Sequence, residues 1–187
     1  MNFQLLWPEF LVTALGFLVL TIDFVLPQAR RNLLAWLVAA GLTAILVFTL
    51  VFLWGKTDSL YDGVIRVDGY ALFFKVMFIV LGTFVVLSSA EYVEKYLTHP
   101  GEFYGILLFS IVAMMLMAAS GELLTAYISL ELLSFSLYVL VSLSLSSPRS
   151  HEAGVKYMLL GAFSSALLLY GISLLYGVLG VTRFDEI

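Results

Sequence analysis

The stretch TAYISLELLSFSLYVLVSLSL, residues 125–145, is apolar enough to cross a membrane, yet it carries a glutamate near its middle. At helical spacing, this glutamate, Glu131, shares one face with four hydroxyl groups: Tyr127, Ser134, Tyr138 and Ser142. A charge in the hydrocarbon core costs about 2.5–3.5 kcal/mol on insertion scales, so a carboxylate there predicts a functional site. The alternative is a protonated Glu131 that hydrogen-bonds a neighbouring helix and serves packing only.

The composition around this stretch is that of an integral membrane protein. The chain has 187 residues, of which 62% are hydrophobic and 12% are charged. A soluble domain is closer to half apolar and a quarter charged. The net charge of −4 is spread mostly between the apolar segments and forms no basic patch, so we expect no nucleic-acid partner.

The residue types present also limit the chemistry that the chain can perform. It contains no cysteine, which excludes disulfides, thiolate metal sites and cysteine-ligated iron–sulfur clusters within it. Its two histidines, His99 and His151, lie near predicted span ends, so a haem held between helices is not expected. We predict no cofactor and no metal in this chain, and any redox chemistry would take place in other subunits.

Six apolar segments have the length that a hydrocarbon core demands, which predicts an all-α bundle of about six transmembrane spans. The predicted spans are residues 10–26, 33–54, 70–90, 103–119, 125–145 and 152–180. Pro27 is predicted to end the first helix, and a short basic turn with Arg30 and Arg31 follows it. A longer polar loop precedes the third span, and a polar connection over residues 91–102 follows that span.

Charged residues near the span ends give further expectations. Glu9 and Asp23 lie towards the two ends of the first span, where water or head groups can reach them. Lys75 lies about one turn inside the third span and is predicted to extend its ammonium to the interface.

The basic residues of the loops predict the orientation. The loops after spans one, three and five hold four basic residues and the opposite side holds three, which favours both termini outside.

A second ionisable group opens the sixth span, SHEAGVKYMLLGAFSSALLLYG, residues 150–171. Lys156 follows Glu152 by four residues, the spacing of a helical Glu–Lys pair, and the alternative is a lysine that only extends to the interface. Glu131 in the preceding helix is an opposite charge that can lie within bridging distance. If water reaches both groups, Glu131 and Lys156 can exchange protons near neutral pH, as in a proton relay.

A hydrated path for such a relay would use four hydroxyl groups: Tyr127, Ser134, Tyr138 and Ser164. Moving a charge against the membrane potential costs about 2.3 kcal/mol per 100 mV. The sequence has no phosphate-binding glycine loop and no cofactor motif, so the driving force is expected from partner subunits.

Three blocks of the sequence closely resemble one family, the subunit N proteins of bacterial NADH–quinone oxidoreductase (respiratory complex I). The first is GEFYGILLFSIVAMMLMAASGELLTAYISLELLSFSLYVLV, residues 101–141, and the second is SHEAGVKYMLLGAFSSALLLYGISLLYGVLG, residues 150–180. The third is DGYALFFK, residues 68–75. The resemblance covers essentially the whole chain, and the first two blocks are long and specific.

The resemblance implies a role as an antiporter-like subunit that translocates protons, coupled at a distance to quinone reduction. Glu131 matches the family's glutamate on the fifth helix, and Lys156 and Glu152 match a motif that opens the sixth. The enzyme label, translocase, would belong to the complex, with NADH, FMN, iron–sulfur clusters and quinone in partner subunits. The chain would be multi-pass in the inner (plasma) membrane, in contact with the bilayer and with other membrane subunits.

The same resemblance implies about fourteen helices in two inverted repeats, of which this chain holds the first six. We therefore expect residues 1–187 to form a single, incomplete antiporter-like membrane domain, either as a fragment or with the remainder elsewhere. Two other functions stay open. One is a related subunit of a multisubunit cation/proton antiporter or a membrane-bound hydrogenase, and the other is a structural helical scaffold.

Overall fold

The computed structural model describes residues 3–25, 33–144 and 147–187. The predicted helix end at Pro27, the basic turn with Arg30 and Arg31, and the last residue of the predicted fifth span, Leu145, lie outside the described residues.

The described chain contains six long helices, as the sequence predicted. They are α1 (Trp7–Val25), α2 (Leu33–Phe52), α3 (Gly69–Tyr96), α4 (Pro100–Ala118), α5 (Leu123–Ser142) and α6 (Pro148–Leu179). Each is long and apolar enough to cross a membrane. A 3₁₀ turn, Phe3–Leu6, leads directly into α1.

The third helix is longer than predicted, because it continues to Tyr96, through the first half of the polar connection predicted over residues 91–102. Its buried stripe continues at helical spacing from Ile79 through Val86 to Val93. The charged residues of this last part, such as Glu91 and Lys95, lie on the exposed face. The apolar stripe therefore extends the helix beyond the membrane-length segment.

Helix α4 lies at the centre of the bundle. It packs against α1, α3 and α5, whereas α2 packs mainly against α1 and α3, and α6 packs against α5. One continuous apolar core joins the first four helices, with fully buried side chains such as Val12, Leu42, Ile79 and Leu108. Helices α5 and α6 contribute little to that core, so the bundle has a dense half and an exposed half.

The loop before α3 folds into a β-hairpin that the sequence analysis did not predict. Strand β1 (Asp58–Leu60) pairs antiparallel with β2 (Ile65–Val67). The turn between them has positive φ at Tyr61, Asp62 and Gly63. The Asp-Gly dipeptide before an apolar–polar alternation is a hairpin signal that was available in the sequence.

The hairpin belongs to a layer that closes one end of the bundle. We call this layer the hairpin-side cap: the hairpin, the turn between α4 and α5, and residues 181–185. The Gly121 amide donates to the Val64 carbonyl (2.8 Å), and the Phe184 amide donates to the Gly121 carbonyl (3.1 Å). A Cβ on Gly121 would lie 1.9 Å from the Gly63 carbonyl oxygen, so only glycine fits this turn.

Candidate functional site

The carboxyl group of Glu131 lies near the middle of α5, as predicted. The side chain is half-buried, and Oε1 is buried with no hydrogen-bond partner among the residues that the structure describes. Tyr127, one turn earlier on the same face, is the phenol that interacts with this carboxyl group. A buried polar atom without a partner costs about 1–3 kcal/mol of folding free energy. A glutamate that served only packing would therefore destabilise the protein at this position.

The hydroxyl face of α5 continues from Glu131 into the contact with α6. Tyr138 is buried, and its ring lies edge-on to that of Tyr157 at a centroid distance of 5.0 Å. A Cβ on Gly161 would lie 1.8 Å from the Tyr138 hydroxyl oxygen, so the absence of a side chain at Gly161 leaves room for the tyrosine ring. The two helices therefore pack closely at Gly161.

Lys156 and Glu152 form an ion pair within α6, at the predicted spacing of four residues. Their side chains are 69% and 63% exposed, respectively. Among the described residues, no ion pair joins Lys156 to Glu131. The two predicted site residues are thus placed on neighbouring helices but are not brought together.

The register between α5 and α6 explains why Glu131 and Lys156 are apart. Ser142 lies against Gly154 and Tyr138 lies against Gly161, so Lys156 is at the level of the last two turns of α5. Glu131 is a further seven residues from Tyr138, about 10 Å along the axis at 1.5 Å per residue. The structure therefore does not place Glu131 and Lys156 within bridging distance, which the sequence had left possible.

The structure reveals a second intramembrane charge pair, which sequence reasoning missed. Lys75 is 0% exposed and Glu9 is 3% exposed. Lys75 Nζ lies 2.6 Å from Glu9 Oε1 and also donates to the Leu5 carbonyl at 3.5 Å. The expectation that Lys75 reaches the interface is therefore wrong, and so is the expectation that water or head groups reach Glu9.

The physical reason is that depth along a span does not reveal which way a side chain faces. Both residues lie near the hairpin-side ends of their helices, within reach of the interface by length alone. They face each other because α1 and α3 carry them at the same end of the bundle. One signal was available: an acid and a base lie at matching depth on two helices that begin on the same side.

Asp23, at the other end of α1, is also buried rather than near water. Its side chain lies against Gly101 at the start of α4, where a carboxylate is favoured by the helix dipole. His99 Nδ1 lies 3.7 Å from Asp23 Oδ2. Within the described ranges, no group of three or more His, Cys, Asp or Glu residues is placed to hold a metal ion.

Comparison with known proteins identifies relatives along the whole chain. The family described as NADH:quinone oxidoreductase/Mrp antiporter, TM, matches residues 120–187. NADH-quinone oxidoreductase subunit N of Trichlorobacter lovleyi is 41% identical over 186 residues, which cover 100% of this chain and 38% of that protein. The protein of the same name from Desulfitobacterium hafniense is also 41% identical, over 98% of this chain and 38% of that protein.

Solved structures show the same fold. A chain of respiratory complex I from Thermus thermophilus with bound aureothin matches with a TM-score of 0.75 and 28% identity, over 94% of this chain and 38% of that chain. A chain of the archaeal membrane-bound sulfane sulfur reductase has a TM-score of 0.67 at 23% identity, which shows the fold alone. The predicted fold and the resemblance to subunit N are confirmed, and the chain spans about two-fifths of the length of these relatives.

Proposed function

We propose that this chain, a relative of subunit N, acts as an antiporter-like membrane subunit that carries protons in a NADH–quinone oxidoreductase. The observation that carries the proposal is the Glu131 carboxyl group, which lies in the middle of a span with a buried oxygen that has no partner among the described residues. The relatives named for that oxidoreductase match the whole chain, including the α5 and α6 blocks. An intramembrane carboxyl group of this kind suits proton transfer.

In this proposal Glu131 is the central proton-transfer group, and Lys156 is a second one, supported by Glu152. The distance between them requires intermediate groups. Ser134 and Tyr138 follow Glu131 on the same face of α5, and Tyr138 packs on the residue next to Lys156. Water between these hydroxyl groups would complete the path, since a chain of hydrogen bonds can pass protons where an ion pair is absent.

The energy for pumping is assigned to other subunits. We infer that NADH, FMN, iron–sulfur clusters and quinone are bound there and that this chain contributes no redox site of its own. Its partners would be the other membrane subunits of the complex and the lipid bilayer, with no nucleic acid. The exposed sides of α5 and α6 are the surfaces at which such neighbours would fit.

The location that follows is the inner (plasma) membrane, with several passes. The excess of basic residues in the loops after α1, α3 and α5 favours an amino terminus on the outside. The hairpin-side cap would then face the outside too, since α1, α3 and α5 begin at that end. Residues 1–187 would act as a single membrane domain that forms part of an antiporter-like subunit.

Glu131→Gln in the assembled oxidoreductase tests the proposal. Glutamine keeps the size and polarity of the side chain but cannot release a proton. We expect NADH-driven proton translocation to fall by about a hundredfold or more, as for loss of a positioned acid–base group. The measurement is proton uptake by inverted membrane vesicles, together with the rate of quinone reduction.

Glu102→Gln is the matched control, because Glu102 is an exposed acid in the first turn of α4. This variant should pump at the wild-type rate. Normal pumping in a fully assembled Glu131→Gln complex would contradict the proposal and favour a structural role for the helix bundle.

A subunit of a cation/proton antiporter is the second candidate, because the description of the family that matches residues 120–187 also names the Mrp antiporter. Sodium dependence separates the two functions. The proposed oxidoreductase subunit should translocate protons at the same rate in sodium-free buffer, whereas an antiporter subunit should lose transport without sodium.

A further inference from the structure

The buried pair of Glu9 and Lys75 has no role in the proposed function. It lies in the first half of the bundle, whereas Glu131 and Lys156 lie on the two helices of the exposed half. Its surroundings are a second apolar cluster at the hairpin end of the bundle. That cluster consists of Leu5, Leu6, Leu53, Leu60, Val67 and Leu72.

The ionised form of this pair is incompletely stabilised. A buried ion pair offsets its desolvation only when further hydrogen bonds satisfy the remaining lone pairs and protons. Glu9 Oε2 is buried and has no hydrogen-bond partner among the described residues. The contact at Oε1 is a close ion pair rather than an aligned hydrogen bond. Within the described chain, the ammonium has one further acceptor, the Leu5 carbonyl at 3.5 Å.

The neutral form removes both buried charges without leaving either residue unpaired. Proton transfer breaks an N–H bond at Lys75 Nζ and forms an O–H bond at Glu9, while the electron pair stays on the nitrogen. The total charge of the pair remains zero. The 2.6 Å separation of Nζ and Oε1 is short enough for this transfer after a small side-chain rotation.

In the proposal below, water would reach the pair from the hairpin side. A cavity there is lined by Gln4, Leu5, Leu53, Lys56, Thr57 and Asp58. Leu5 belongs both to this lining and to the contacts of Lys75, so it separates the cavity from the pair. Two titratable groups, Lys56 and Asp58, lie in the cavity wall. A third, Asp68, lies at the start of α3, where its carboxylate accepts from the Ala71 amide.

We propose that Glu9 and Lys75 share a mobile proton and form a second proton-binding site, which exchanges with water on the hairpin side. The site would be occupied by a proton and, next to it, a water molecule at Glu9 Oε2. This inference does not rest on the proposed function, because it concerns the protonation of one pair and not transport by the complex.

Carbodiimide labelling tests the inference in native membranes, with the full chain in its own assembly. A hydrophobic carbodiimide attacks protonated, buried carboxyl groups, and mass spectrometry of the peptide containing Glu9 measures the adduct. We expect labelling of wild-type Glu9 to exceed that of Lys75→Arg by about tenfold or more, since arginine keeps the positive charge and cannot give up its proton. Lys75→Met should label strongly, because Glu9 then has no cation to hold it ionised.

The Lys75→Met variant shows whether the reagent reaches the site. Strong labelling of Lys75→Met with no labelling of the wild type would overturn the proposal, because Glu9 would then be a permanent carboxylate. If neither is labelled, infrared spectra decide: a protonated-carboxyl band in the wild type that is lost in both Glu9→Gln and Lys75→Arg supports the shared proton. A wild-type spectrum without that band rejects it.

Discussion

The two halves of the bundle each contain glutamate and lysine but place them in opposite environments. In the α1–α4 half, Glu9 and Lys75 are sealed from solvent and lie 2.6 Å apart. In the α5–α6 half, Glu131 has no ion pair within the described structure, and Lys156 is exposed and paired with its helical neighbour Glu152.

Enclosure by neighbouring helices accounts for the difference. In an 18-residue apolar stretch of α4, 50% of the residues are buried inside the protein, whereas in the corresponding stretch of α6 the share is 6%. A fully buried lysine such as Lys75 needs a carboxylate within reach, whereas a lysine on α6 can remain at a surface. The enclosed pair therefore contributes to the integrity of the bundle, and the ionisable groups of the exposed half remain nearer to its surface.

The largest expected effect is on the stability of the enclosed half. Glu9→Gln and Lys75→Met each leave one buried ionisable side chain without its partner, which typically costs about 3–5 kcal/mol. The double variant removes both charges and should recover at least half of that loss. The free energies of unfolding, measured by denaturant titration of the four proteins in one lipid–detergent mixture, give the coupling between the two residues.

Additive losses in the double variant would show that the two side chains do not stabilise each other. Their close contact would then contribute nothing to the stability of the enclosed half.

The second effect concerns the hairpin-side cap. Gly121→Ala places a methyl group against the Gly63 carbonyl, which is backbone and cannot move aside. We expect a loss of about 2 kcal/mol, within the usual range for strain at a tightly packed position. Gly171→Ala is the control, since a Cβ there meets nothing within 4 Å, and it should stabilise α6 by up to about 1 kcal/mol. Equal effects on the melting temperature would contradict a closed cap.

The sequence alone was sufficient for the number and approximate position of the helices. An apolar run of membrane length is a local property, so all six spans could be recognised without tertiary information. The same is true of the Glu152–Lys156 pair, because the spacing of four residues fixes it within one helix. Glu131 could be singled out for the same reason, since its depth in an apolar run is visible in the chain itself.

Relations between helices could not be predicted in the same way. Whether Lys75 faces the interface or Glu9 depends on how α1 and α3 are rotated against each other. Whether Glu131 meets Lys156 depends on the register of α5 on α6, which is fixed by contacts such as Tyr138 with Gly161. Both are set by packing across the bundle, and no local pattern encodes them.

A small effect is expected from the ion pair of α6. Lys156→Met removes an exposed pair at helical spacing, which is typically worth about 0.3–0.5 kcal/mol. The loss of stability should therefore be about a tenth of that in Lys75→Met, although the two changes are chemically identical. A comparable loss in the two variants, measured by the same denaturant titration, would mean that α6 is as enclosed as α3.

The smallest effect is expected when the pH is lowered, and it concerns the stability of the hairpin-side cap. Hydrogen bonds from Arg183, with help from Arg66, lower the pKa of Asp185 from 3.8 to about 2. Because the folded pKa is the lower one, the contribution of Asp185 is present above the unfolded value and is lost only as the pH falls through about 2. Hydrogen exchange at the Phe184 amide, corrected for its intrinsic rate, should show unchanged protection between about pH 8 and about pH 5. Asp185→Asn should lower that protection already at neutral pH, and a wild-type cap that opens near pH 5 would show that a different group holds it closed.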